Sequence, residues 1–141
     1  MTRGRALRLV HALERQAHVR EVQVLNGMEA DLRRLEQKRE EAGGVLMGAL
    51  AEAADGGPLS LLGTITERSR ERLRGIDARM AVEAARIRTQ RDLARTHATA
   101  AKRYETIIER RAEAARERDE RRTQAALDDL ATVRWTRRGG A

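Results

Sequence analysis

Three histidines, His11, His18 and His97, are the first residues whose side chains could hold a metal or move a proton. His11 and His18 are seven residues apart, about 10.5 Å along a helix axis, which is too far to share one metal ion. His97 falls on an apolar seam, so all three read as ordinary seam or surface residues. Cysteine is absent, which excludes disulfides and thiolate metal sites. Many carboxylates have an arginine three or four positions away, as in Asp31–Arg34, Glu36–Arg39, Glu83–Arg86 and Glu117–Arg121. These read as solvated helix-face pairs, each worth a few tenths of a kcal/mol. Gly56-Gly57-Pro58 lacks the lysine and flanking strand of a phosphate-cradling loop and reads as a turn. No catalytic, cofactor-binding or metal-ligating residue emerges, and no enzymatic activity is expected.

Arginine supplies the other candidate chemistry. The 29 basic and 22 acidic residues leave a net charge of +7, a balance that raises nucleic acid as a partner. Arg68, Arg70, Arg72 and Arg74 alternate along the chain, and alternate residues on a helix lie about 200° apart, so they spread round it. Arg88, Arg91 and Arg95 do share a face and could hold a backbone phosphate. Basic and acidic residues interleave almost everywhere, however, and with one tryptophan, one tyrosine and no phenylalanine the chain has almost nothing to stack on bases. A specific nucleic-acid partner is therefore not expected. A basic helical hairpin binding nucleic acid remains the alternative, marked by affinity that falls steeply with salt.

The elements that carry these residues follow from composition. Of 57 hydrophobic residues 24 are alanine, so the large side chains that fill globular cores are scarce. Alanine, arginine, glutamate and leucine are strong helix formers, and the composition points to long helices that bury one narrow seam. Helix breakers cluster once, at Gly43-Gly44, Gly48 and Asp55-Gly56-Gly57-Pro58, before Gly139-Gly140 near the end. Helix one is expected over about 5–54, a turn over 55–58, helix two over about 59–135, and a flexible tail over 136–141. In helix two, Leu73, Ile76, Met80, Ala84 (or Glu83), Ile87, Gln90, Ala94, His97, Ala101, Tyr104, Ile108 and Ala115 follow a mostly alternating 4-3 spacing, the seam of a coiled coil. In helix one the corresponding residues are Val10, Leu13, Ala17, Val24, Met28, Leu32 and Leu35, with a stutter between Val24 and Leu32. A lone helix of either length would be marginal and needs a partner, so the expected fold is all-α, a single two-helix antiparallel coiled-coil hairpin.

The lengths are unequal. Folding at Pro58 brings Leu7 near Glu109 and leaves the second helix longer and overhanging from about Arg110 to Trp135. That stretch still carries Ala114, Ala115, Leu127, Leu130, Val133 and Trp135, a partial apolar stripe that asks for a partner. No apolar run approaches the ~20 residues that span a bilayer, so no integral membrane segment is expected. The basic N-terminal stretch has neither the uninterrupted apolar run of a secretory signal nor, with Glu14 in it, the pattern of a transit peptide. A cytoplasmic location is expected.

The opening RGRALRLVHALER (Arg3–Arg15) and the closing YETIIERRAEAARERDERRTQAALDDLATVRW (Tyr104–Trp135) resemble the FliJ family, the stalk proteins of flagellar protein export. The likeness is strongest at an LD-x-LA-x-x-R element, here Leu127, Asp128, Leu130, Ala131 and Arg134. The stalk proteins of type III secretion injectisomes fit nearly as well. The tip around Gly43–Leu62 departs from the family in its glycine and alanine content and its lack of aromatics. The resemblance implies a non-enzymatic coiled coil similar to the central stalk of rotary ATPases. Its paired termini would enter the pore of a hexameric export ATPase, its other end would touch the membrane export gate protein, and it would escort export chaperones. It would then be peripherally associated with the inner membrane at the flagellar base. On that reading Arg3, Arg5, Arg8, Arg118, Arg122, Leu127, Leu130 and Arg134 lie at the ring end, and Leu46, Met47, Leu59, Leu61 and Leu62 at the gate end. The tip leucines could equally pack on one another to close the hairpin.

Overall fold

The computed structural model describes residues 2–56 and 59–139, and of residues 59–61 the backbone alone. The fold is all-α. Helix α1 spans Arg3–Ala54 and helix α2 spans Leu59–Arg137, of 52 and 79 residues, and no strand occurs among the described residues.

The helix ends are set by local chemistry. Thr2 caps α1, its hydroxyl oxygen accepting from the Arg5 amide at 3.3 Å, which satisfies one of the donors every helix leaves free at its start. At the other end Gly56 sits at φ +91°, a left-handed conformation that glycine reaches without cost. Its amide donates to the Ala53 carbonyl at 3.3 Å. Gly57 and Pro58, the rest of the expected turn, lie outside the described residues. Gly139, at φ +79°, closes α2 in the same way. Because helical bonds continue up to that glycine, α2 runs through Arg137, two residues past the end expected at Trp135.

The chain divides into two compact units, Gln16–His97 and Met1–Arg15 with Ala98–Ala141. In the first, the helices are antiparallel. As α1 advances from His18 to Arg39, the bonded partner in α2 recedes from Ala94 to Asp77. Ile76, Ile87 and Ala94 of α2 are buried, with Leu73, Met80 and Ala84 half-buried beside them. This is the predicted seam. Its core is partly polar, because Gln90 and Ser69 are buried too. The Gln90 side-chain nitrogen donates to the Glu21 carbonyl oxygen at 3.0 Å and also to the Glu21 carboxylate. His18 Nδ1 donates to the Ala94 carbonyl oxygen at 3.0 Å. No buried side-chain nitrogen or oxygen among the described residues lacks a partner, as burial of polar groups requires.

The α1 face differs from the one expected. Leu13 and Val24 are 51% and 47% exposed. The inward line runs instead through Leu7, Val10 and Glu14 in one unit, and through Ala17, Glu21, Leu25, Met28, Leu32, Leu35 and Ala42 in the other. The consecutive steps of four therefore fall at Ala17–Glu21–Leu25 rather than after Val24. Choosing the seam by apolar type passes over Glu14 and Glu21, the second of which meets the Gln90 side-chain amide there.

In the unit formed by the two chain ends, Leu7, Val10, Tyr104 and Ile108 are half-buried and Ala101 is buried. Burial along α2 ends at Ala114, one residue before the expected Ala115. Every described residue from Ala115 to Gly139 is exposed. The overhang is thus a feature of the structure, beginning about one turn later than Arg110.

Burial separates two leucine-like positions that sequence alone treats as equals. Ile87, only 4% exposed, is expected to lose about 2 kcal/mol or more when changed to alanine. Leu13→Ala is expected to stay within about 0.5 kcal/mol. Urea unfolding followed by circular dichroism measures both, and equal losses would contradict the observed seam.

Candidate functional site

The residues assigned to the ring end all belong to the unit of the chain ends, and all are exposed. Leu127 and Leu130 are 56% and 55% exposed, and Val133 and Trp135 are exposed with them. Successive residues turn about 100° on a helix, so Leu130 and Arg134 lie within about 60° of Leu127 and form one stripe with it. Arg118 and Arg122 are one turn apart, but Arg118 lies about 180° round the helix from Leu127. The arrangement divides the α2 ring-end residues between two faces. On α1, Arg5 and Arg8 are neighbours, and Arg8 Nε donates to the Gly4 carbonyl at 3.4 Å. Arg3 lies well round the helix from both.

The stretch leading to the stripe is different in kind. From Arg116 to Arg122 every residue is charged. Arg116 pairs with Glu113 at 2.6 Å and Arg121 approaches Glu117 at 4.0 Å, all strongly exposed. A helix that is polar all round is held by such contacts along its own length rather than by a core. The stripe is therefore an apolar island at the end of a charged helix.

The gate-end residues are divided as well. Met47 is 66% exposed, whereas Leu46 and Leu62 are half-buried. The side chains of Leu59 and Leu61 lie outside the described residues. Val45, Leu50 and Ile65 are exposed in the same region, and the sequence reading missed them. The available signal was the charge pattern, because Ala42–Ala51 contains no charged residue.

The arginines have mixed fates. Asp31–Arg34 and Glu83–Arg86 pair as expected, at 2.6 and 3.2 Å. Arg39 bonds Asp77 across the helices at 2.6 Å instead of pairing with Glu36, since the i,i+3 neighbour competes with an acid presented by α2. Arg91 likewise reaches Glu29 at 3.1 Å. That commits the central member of the Arg88, Arg91, Arg95 face to a contact within the protein.

One surface hollow follows a single face of α2 past Thr99, Lys102, Arg103, Thr106, Ile107 and Arg110 and is open to solvent. No group of three or more His, Asp or Glu side chains is placed to hold a metal ion among the described residues. No described helix is long and apolar enough to cross a membrane. Compared with protein families, curated proteins and solved structures, the chain matches none.

Exposed residues make no contribution to the packed seam, which gives the stripe a clean test. Replacing Leu127 and Leu130 together by serine is expected to leave the melting temperature within about 2 °C of the parent. A large drop in calorimetry would mean that the stripe packs within its own chain.

Proposed function

We propose that the chain is a stalk protein of flagellar protein export, of the FliJ type. The observation that carries this reading is the exposed end of α2. There a stripe of Leu127, Leu130 and Arg134 is held beyond the last half-buried residue, Ala114. Exposed apolar residues grouped on one helix face mark a protein-binding surface rather than a solvated one. In this reading the stripe, with Arg118, Arg122 and the N-terminal Arg3, Arg5 and Arg8, binds a hexameric export ATPase. The hairpin tip meets the membrane export gate protein, with Met47 as its most exposed assigned residue. Export chaperones are escorted between the two. The chain then works in the cytoplasm, peripherally associated with the inner membrane at the flagellar base. It has no catalytic residues of its own and acts by biasing the conformations of the ATPase. A stalk of an injectisome has the same physical requirements, and the identity of the ATPase it stimulates distinguishes the two.

Leu127→Asp with Leu130→Asp is the direct probe, because both residues are exposed and the hairpin does not depend on them. The parent is expected to stimulate ATP hydrolysis by the hexameric export ATPase. The double variant should lose roughly tenfold or more of that stimulation, since two charges in an apolar contact cost several kcal/mol. Stimulation equal to the parent's would sink the reading. Retarded DNA or RNA at low salt, lost as salt rises, with no effect on the ATPase, would replace it with nucleic-acid binding.

A further inference from the structure

We propose that the last three turns of α1, Gly43–Ala54, are a helix–coil switch that melts and re-forms independently of the rest of the hairpin. Three observations meet there. Gly43, Gly44 and Gly48 lie in this short stretch, and a Cβ added at any of them would meet nothing within 4 Å. Packing against α2 therefore does not require glycine at these positions. Glycine in a helix interior favours the unfolded chain, where it has the most freedom to regain.

On the α1 side the seam is also thinnest in these turns. The inward residues are Ala42, Leu46, Ala49 and Ala53, so a single large side chain is half-buried where Met28, Leu32 and Leu35 lie closer to the polar cross-links. Helical stability in proteins comes mainly from burial of such a face, and alanines bury little. Finally, among the described residues the cross-helix side-chain bond nearest the tip is Arg39–Asp77. Beyond it α1 is held by backbone bonds and by its small inward face.

Melting would change what the segment presents. In the helix Met47 and Leu50 lie about 60° apart, while Val45 is about 140–160° from each. All three are exposed, yet no flat surface meets them together while the segment is helical. Released from helical spacing, they can converge. The switch is a property of the isolated chain and needs no partner to be read.

Amide hydrogen exchange on the full chain tests it. Residues 43–54 are expected to exchange at least about a hundredfold faster than residues 21–35, as local opening does relative to a packed segment. Changing Gly43, Gly44 and Gly48 together to alanine should slow exchange in 43–54 by roughly ten- to a hundredfold, with little change in 21–35. Gly27→Ala, also in open space but beside the packed Met28, serves as the control and should leave the 43–54 rates unchanged. Equal protection of both segments would overturn the proposal. So would fast exchange that the triple variant does not slow, or slowing by Gly27→Ala equal to that of the triple variant.

Discussion

The two helices have only a line of contact to share, and much of that line is alanine. Apolar burial of this kind is non-directional, so small side chains resist sliding of one helix along the other only weakly. Direction comes from the polar bonds embedded in the line. Gln90 grips the backbone and carboxylate of Glu21, and His18 grips the Ala94 carbonyl. A shift by one turn would leave Gln90 buried without partners, a cost of about 1–3 kcal/mol. The same logic explains polar residues at seam positions of coiled coils, which fix register at some expense in stability. In the unit Gln16–His97 the outer pairs Arg39–Asp77 and Arg91–Glu29 add to this setting from the solvated flanks.

The fold was legible because the information for it is redundant. The 4-3 spacing of Leu73, Ile76, Met80, Ile87 and Gln90 repeats over many turns, and each repeat points to the same face. Even polar Gln90 could be placed, since its neighbours fixed the phase. Helix α1 was harder, because Leu13 and Val24 are apolar and nearly in phase. Only the partner helix reveals that Glu14 and Glu21 take the inward line. Cross-helix pairs such as Arg39–Asp77 were invisible for the same reason, since a local acid is always available as the apparent partner. The overhang could be derived from lengths alone, and only its first residue moved. The functional faces were the least legible. Type and order along the chain put Arg118 with Leu127, whereas the turn of the helix puts them on opposite sides.

The exposed regions give the molecule two kinds of surface. One is the leucine stripe near the end of α2, carried by a helix that supports itself through its own charges. The other is the uncharged tip of α1, where Met47 and Leu50 are exposed on a weakly anchored segment. The basic residues, by contrast, interleave with acids along the chain and are scattered round their helices, so the net charge of +7 is spread out instead of forming one cationic face.

The charged stretch of α2 has a consequence for cooperativity. Carried past Ala101, Tyr104 and Ile108, the seam spacing falls on Arg111, Ala115, Arg118, Arg122, Ala125 and Asp129. Two successive positions in that phase are ionic. Any helix lying along the seam would have to dehydrate Arg118 and Arg122 before reaching the terminal leucines, and burying charges without good partners is strongly unfavourable. These charges set the end of the packed seam, short of the terminal leucines, and burial along α2 stops at Ala114. Cooperative packing of the two helices thus involves the seam and leaves out Leu127 and Leu130, which are 56% and 55% exposed.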